Sequence, residues 1–306
     1  NKGTKIIANA VNELNSGLDH SNLPVQKDFH QDNNAPSNLT KSEFYSSVEK
    51  AKEYIKSGDV YQVVLSQRFE IPFKKSSISF YRSLRRLNPS PFLFHFNFGD
   101  FYVVGSSPEI LVRLRDNECT IRPIAGTRPR GENKIDDLKL KEELLNDPKE
   151  RAEHLMLLDL GRNDVGRVSK PGTVEVTESF SVEMYSHVMH IESEVKGELR
   201  GELDSLDALI AGFPAGTVSG APKIRAMQII EELETERRGI YSGAVGYFSA
   251  SGDLDTCIAL RTGIIKDGKL YVQAGGGIVH DSTNEGEELE TRNKAKALIR
   301  AAELAD

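Results

Sequence analysis

Tyr61-Gln62-Val63-Val64-Leu65-Ser66-Gln67-Arg68-Phe69-Glu70-Ile71 is the stretch on which the reading of the fold turns. Tyr61, Val63, Leu65, Phe69 and Ile71 fall on one face and Gln62, Val64, Ser66 and Arg68 on the other, the period of two expected of a strand with one polar face. Ahead of it, Phe44, Val48, Ala51 and Ile55 recur at helical spacing between the N-cap candidates Thr40 and Ser42 and the stop at Gly58. Beyond it, Phe92, Phe94, Phe96 and Phe98 alternate again, and Gly99-Asp100 before Phe101 suits a two-residue hairpin turn with glycine first. Turns at Ser251-Gly252 and Asp267-Gly268 predict a meander of Gly243–Ala250, Leu254–Ile265 and Lys269–Ala274. Helices are predicted from Asp147-Pro148, from Pro222 to near Gly239, and from about Glu285 to Leu304. Strands and helices without regular βαβ alternation make the fold class α+β with a mainly antiparallel sheet.

The chain has 306 residues, 38% of them hydrophobic, and its charge is 39 − 46 = −7. That balance belongs to a globular chain with a core. No clustered cationic surface points to a nucleic-acid partner, and no apolar run reaches the ~18 residues of a membrane span. With no leader-like segment either, the expectation is a cytoplasmic protein without a membrane or nucleic-acid partner. Two cysteines, Cys119 and Cys257, with no C-x-x-C spacing supply neither a disulfide framework nor a zinc site. Residues 1–40, polar and rich in Asn, Asp, Ser and Pro, read as a linker ahead of a domain over 41–306.

Several residues could carry chemistry. Glu150 and Glu153 lie three apart at the start of one predicted helix, and Glu287, Glu290 and Lys294 share a face of another. A capping box accounts for Glu150 and a solvated acidic helix start for the second group, whereas two carboxylate pairs on two helices would also cage a hard divalent cation. Gly275-Gly276-Gly277 after a strand is either a sharp turn or a place where backbone N–H groups approach an anion. Gly212–Lys223 lacks the Lys-Ser or Lys-Thr order of a phosphate loop, although its amides and Thr217 could hold a carboxylate. His187 and His190 would point to opposite faces of one strand and cannot share an ion. Arg261, on a predicted strand face with Asp255, Cys257 and Ala259, is either a surface arginine or a carboxylate clamp. No Gly-x-Ser-x-Gly or Gly-x-Cys-x-Gly elbow supports a covalent hydrolase.

The blocks Gly58–Phe69, Ser107-Pro108-Glu109, Arg122–Gly131, Glu153–Leu160, Gly161-Arg162-Asn163-Asp164 and Gly216–Lys223, in this order, resemble the chorismate-utilising enzymes over about residues 41–305. Within them the likeness is greatest to component I subunits of anthranilate synthases. The resemblance implies two antiparallel sheets packed as a sandwich with flanking helices, with 41–306 as the chorismate-binding catalytic domain and 1–40 as a linker and the tail of a missing N-terminal region. It implies Mg²⁺ as cofactor, held directly or through water by Glu150, Glu153, Glu287 and Glu290, with the ion holding the ring carboxylate of chorismate. It places Gly126, Thr127, Thr217, Tyr241, Arg261, Gly275, Gly276, Gly277 and Lys294 in the substrate pocket. Glu109 is then the general acid for the departing 4-hydroxyl, and His190 serves the later loss of pyruvate. Asn88, Pro89, Ser90, Pro91, Phe92 and Leu93 resemble half of a tryptophan-binding regulatory site whose Leu-Leu-Glu-Ser half this chain lacks.

Two positions divide the subfamilies. Relatives that add water carry a lysine base where this chain has Gln62, and most 4-amino enzymes carry a lysine nucleophile where it has Ala125. The resemblance therefore favours amination at C2, with ammonia supplied by a glutamine amidotransferase subunit, component II. Formation of 4-amino-4-deoxychorismate and a catalytically silent fragment are the alternatives.

Overall fold

The structure, a computed structural model, describes residues 2–15, 35–185 and 188–306. Helix α1 (Lys2–Asn15) falls in a unit of its own with residues up to 33. Where a linker is expected there is thus a helix, although one whose Ile6, Ile7 and Val11 are all exposed. Of the predicted linker, residues 16–34 lie outside the described residues. The second unit starts ahead of the predicted boundary at 41. Ala35 is buried in a core cluster with Phe69, the Asn38 N–H donates to the Arg68 carbonyl at 2.8 Å, and the Glu70 N–H donates to the Pro36 carbonyl at 3.1 Å.

The other helices are α2 (Lys41–Lys56), α3 (Ser77–Leu87), α4 (Lys134–Asn146), α5 (Pro148–Gly166), α6 (Ser205–Gly212), α7 (Gly216–Ser219), α8 (Lys223–Leu233) and α9 (Asn284–Leu304). The strands are β1 (Gln62–Pro72), β2 (Phe92–Asn97), β3 (Tyr102–Ser107), β4 (Ile110–Arg115), β5 (Glu118–Ile121), β6 (Ile124–Pro129), β7 (Glu175–Met184), β8 (Val188–Glu198), β9 (Gly220–Ala221), β10 (Ala244–Phe248), β11 (Leu254–Ile258), β12 (Thr262–Lys266) and β13 (Lys269–Ile278). They build two antiparallel sheets, β2-β3-β12-β13-β1-β9 and β10-β11-β4-β5-β8-β6, with β7 on the other edge of β8.

Local chemistry explains most of the element ends. Thr40 and Glu43 form the capping box of α2, and Asp147 accepts from the Lys149 and Glu150 N–H groups to open α5 at Pro148. Gly99, at φ +86°, makes the β2–β3 turn, and Asp267-Gly268, both at positive φ, make the β12–β13 turn. The helix from Pro222 is shorter than predicted, because Glu234 leaves helical backbone at ψ 130°.

Apolar faces then set the layers. Phe44, Val48, Ala51, Ala226 and Ile229 of α2 and α8 pack on Val63 and Leu65 of β1. Phe80, Leu84 and Leu298 of α3 and α9 pack on Phe69, Leu270 and Val272. On the second sheet, α5 and α6 bring Leu158, Val165, Ala208 and Ala211 onto Leu111, Val112 and Val195. Between the sheets, Phe94 and Val103 of one meet Cys257 of the other. The result is a sandwich with helices outside.

Two features differ from the sequence reading. Tyr61 lies just ahead of β1 and is 74% exposed, while the polar face of that strand is inside, with Gln62 and Ser66 both buried. Also, Leu254–Ile265 is not one strand. The chain leaves the seven-stranded sheet after Ile258 and enters the six-stranded one at Thr262, turning at Arg261 with φ +46°. Arg261 therefore shares no strand face with Asp255 and Cys257. No Asn-Gly or Asp-Gly turn pair in Leu254–Ile265 marks such a crossover.

The helix-covered face of the six-stranded sheet supplies a direct test. Phe80 is fully buried and stacks edge-on to Phe73 with ring centres 5.7 Å apart. Phe80→Ala should destabilise the chain by about 3–5 kcal/mol, read from urea unfolding. A cost below about 1 kcal/mol would contradict the packing described.

Candidate active site

The inward face of β1 carries the first site residues. Across from it, Gly275, Gly276 and Gly277 lie inside β13, paired with Ser66, Leu65 and Val64, and form no turn. Their missing side chains leave room. A Cβ on Gly275 would stand 2.8 Å from the Tyr241 hydroxyl, one on Gly276 2.7 Å from Glu287 Oε2, and one on Gly277 2.3 Å from Gln62 Nε2.

Glu109 sits between β3 and β4 with 8% of its surface exposed. Thr217 of α7 donates to its Oε1 at 2.6 Å, so the carboxylate that Thr217 holds belongs to the protein itself. Burial pushes the Glu109 carboxyl up to about 7, and the nearby Glu192 adds to this, against the pull of Thr217, Arg261 and Lys294. Arg261, delivered by the sheet crossover, is half-buried, and desolvation lowers its pKa from the ordinary value. Its guanidinium has no hydrogen-bonded or ion-paired partner among the described residues.

His190 of β8 pairs across the strands with Thr127 of β6. Its Nδ1 lies 3.0 Å from Thr127 Oγ1 and 3.1 Å from the Gly126 carbonyl. Donation to that carbonyl assigns the proton to Nδ1 and leaves the Nε2 lone pair free. Burial pulls the ring down to about 4. Gly126 stands at a β-bulge with φ +71°, and a Cβ there would come within 3.2 Å of Glu150 Oε2. His187 lies outside the described residues.

The four glutamates predicted as cation ligands are each provided for differently. Glu150 accepts from Arg128 at 3.0 Å, and Arg128 also holds Asp147 at 2.7 Å and Glu143 at 3.1 Å. Capping thus explains the Glu150 N–H, which Asp147 accepts, but not its carboxylate. Glu153 accepts from Gln62 Nε2 at 2.8 Å and is raised by burial and then by Glu150 and Glu290. Glu290 lies 2.7 Å from Lys294, whose Nζ also donates to the Gly275 carbonyl at 3.0 Å. Glu287 is buried, its Oε2 has no hydrogen-bond partner among the described residues, and burial together with Glu290 pushes it up to about 7. Among the described residues no three His, Cys, Asp or Glu side chains form a ready metal cluster, so the expected four-carboxylate cage is not assembled as such. The residues nevertheless fit a hard cation, since a buried carboxylate oxygen with no partner faces the opening that Gly276 leaves.

Other predicted residues lie elsewhere or do other work. Phe92 of the Asn88–Leu93 turn joins the aromatic cluster of Phe94, Phe101, Val245 and Cys257 rather than the Glu109 group. Lys223 is spent on Asp164, at 2.7 Å, and on the Gly212 carbonyl, which agrees with the rejection of a phosphate loop. Arg128 and the pair Glu234–Arg238 escaped the sequence reading. Arg128 was at least signalled by its place beside Gly126-Thr127, whereas the outside partners of the Glu234–Arg238 pair on β1 and α7 come from distant segments.

A family model described as chorismate binding enzyme matches residues 2–300. The chain belongs to that family. It is 61% identical to anthranilate synthase component 1 of Cereibacter sphaeroides over 285 residues, covering 92% of this chain and 57% of the relative. It is 60% identical to the Aquifex aeolicus protein of the same name over 270 residues, covering 88% and 55%. Anthranilate synthase component I from Streptococcus pneumoniae TIGR4 superposes with a TM-score of 0.84 at 46% identity, over 96% of this chain and 65% of that one. The chain thus spans a little over half the length of the curated relatives it matches. No helix among the described residues is long and apolar enough to cross a membrane.

The histidines make acid stability a readout of the site. His154, fully buried on Ser193 at 2.7 Å, is likewise pulled down to about 4 by burial. Between about pH 6.5 and 4 the unfolded chain binds protons that folded His154 and His190 refuse, so stability falls as pH drops through that window. Each histidine contributes a slope of up to about 1.4 kcal/mol per pH unit. Urea unfolding across this range should show the slope, reduced in His154→Asn; an identical slope in the variant would contradict burial of a neutral ring.

Proposed function

We propose that this site converts chorismate and ammonia to 2-amino-2-deoxyisochorismate and then to anthranilate and pyruvate, as a lyase of tryptophan biosynthesis. The observation that carries the reading is a buried Glu109 carboxyl, pushed up to about 7, under the influence of an Arg261 guanidinium that has no hydrogen-bonded or ion-paired partner among the described residues. An acid that still holds its proton near pH 7 suits a leaving hydroxyl, and an uncompensated guanidinium suits a substrate carboxylate. The names of the relatives support the same reaction.

Ammonia attacks C2 as the ring double bonds shift, and the C4–O bond breaks with the proton of Glu109 leaving on the departing water. In the second step the C2 proton is lost, the ring becomes aromatic, and the enolpyruvyl group leaves and is protonated to pyruvate. His190, neutral with Nε2 open, serves that proton movement. Thr217 holds the Glu109 carboxyl, while Tyr241, Lys294 and the Gly275–Gly277 backbone line the pocket. Glu150, Glu153, Glu287 and Glu290 would hold Mg²⁺, which when bound supplies positive charge for the ring carboxylate. Gln62 is engaged with Glu153, and neither it nor Ala125 offers the lysine that water addition or 4-amination uses.

Ammonia comes from a glutamine amidotransferase partner, in keeping with the name component 1 borne by the relatives. Both thiols of this chain, Cys119 and Cys257, are buried and pushed up to about 12, which suits neither to glutamine hydrolysis. The turn Asn88–Leu93 serves as half of a tryptophan site in the same reading, and the setting is cytoplasmic.

Chorismate, Mg²⁺ and ammonium should yield anthranilate by fluorescence and mass, and glutamine alone should yield none. Glu109→Gln should lower turnover by about 100-fold or more. Above about pH 7 Glu109 loses its proton, so the rate at constant free ammonia should fall, approaching tenfold per pH unit. A 4-amino product, or near-normal turnover in Glu109→Gln, would overturn the assignment.

A further inference from the structure

Glu234 and Arg238 form a buried pair one helical turn apart in sequence, with side chains 8% and 15% exposed, yet Glu234 lies just past the end of α8. Every guanidinium N–H of Arg238 has an acceptor. Nε donates to Glu234 Oε2 at 2.9 Å, and Nη2 donates to Glu234 Oε1 and to the Val64 carbonyl of β1, both at 2.7 Å. Nη1 donates to the Val218 carbonyl of α7 at 2.6 Å and to Ser242 Oγ at 3.2 Å. Glu234 Oε1 in turn accepts from the Ser66 N–H and hydroxyl, each at 2.8 Å. The guanidinium also lies over the Tyr241 ring, 5.5 Å from its centre.

Outside the pair the bonds run to three segments, and each ends beside the reacting groups. Val218 follows Thr217, which holds Glu109. Tyr241 precedes Ser242 and faces Gly275. Val64 and Ser66 belong to the inward face of β1. A planar fork with five donors can satisfy these fixed acceptors together, and a lysine ammonium cannot. We propose that Arg238, held by Glu234, is a positioning residue that locks α7 and Tyr241 against β1 and so keeps Thr217 on the Glu109 carboxyl.

The inference rests on the reading of Glu109 as the acid, but its test requires no turnover. Groups acting on Glu109 are Thr217 from α7, Arg261 from the crossover, Lys294 from α9 and Glu192 from β8. Of these, Arg238 touches the segment of Thr217 alone. Loss of the Thr217 bond removes a stabiliser of the carboxylate, so the Glu109 midpoint should rise.

The experiment is a ¹³C NMR titration of labelled glutamate carboxyls, with the Glu109 signal assigned by its loss in Glu109→Gln. Arg238→Lys should raise the Glu109 midpoint by about one pH unit, as should Thr217→Val, and the double variant should shift no further than either. Glu234→Gln, which keeps the shape of the pair, provides a second variant and should shift the midpoint in the same direction. An unchanged midpoint in folded Arg238→Lys, or additive shifts in the double variant, would overturn the proposal. Loss of the fold in both Arg238→Lys and Glu234→Gln would also overturn it, since the pair would then be structural. Failure of Glu109→Gln to impair turnover would strike the acid reading instead and leave the titration result standing.

Discussion

Arg261 is a half-buried charge with no hydrogen-bonded or ion-paired partner among the described residues, and the rest of the site is arranged around that cost. A buried guanidinium with no partner is unfavourable unless a ligand brings the missing anion. The adjoining Glu109 does not discharge the debt, because its own burial keeps it partly protonated. The same logic runs through the neighbouring carboxylates. Glu150 has Arg128, Glu153 has the Gln62 amide, Glu290 has Lys294, and Glu287 has a raised affinity for a proton and an oxygen with no partner. Glu150, Glu153 and Glu290 thus have partners that a bound cation could replace, whereas Arg261 and Glu287 Oε2 have none among the described residues.

The architecture explains how such groups come to lie inside. Helices cover one face of each sheet, so the apolar residues of β1 point outward to α2 and α8 and its polar residues point into the sandwich. In β13, Gly275 and Gly277 leave room on the inward face for Tyr241 and Gln62, and Gly276, on the opposite face, leaves room for Glu287 of α9. The crossing of the chain between sheets at residues 259–261 then places one arginine at the junction, with backbone that only a committed turn would hold.

Much of this was legible from sequence because its causes are local. Period-two runs marked β1 and β2, Gly99 and Asp267-Gly268 marked turns, and Asp147-Pro148 and Thr40 marked helix starts. The Glu150 and Glu153 spacing could be seen before any geometry was known, whereas Glu109 and the role of His190 were named only through the resemblance to chorismate-utilising enzymes. What could not be read is what depends on distant partners. Nothing in Leu254–Ile265 announces a change of sheet, since buried strands on either side of the crossover are equally apolar. Tyr61 looked like a core residue because alternation continues one position past the first hydrogen-bonded pair. Glycines 275–277 suggested a turn because local rules count glycine as a breaker, whereas here it makes space. The Glu234–Arg238 clamp joins residues 64, 66, 218 and 242, and no local pattern encodes that meeting.

The central claim of the proposed function is that Arg261, half-buried and unpaired among the described residues, is held for the carboxylate of chorismate. Calorimetric titration of chorismate into the wild-type chain and Arg261→Gln, in Mg²⁺ and alongside thermal unfolding of each, tests it most directly. The account predicts that Arg261→Gln binds chorismate at least about tenfold more weakly while its unfolding temperature is unchanged or higher, because an uncompensated buried charge has been removed. Equal affinity in the two proteins, or a large loss of stability in Arg261→Gln, would contradict it.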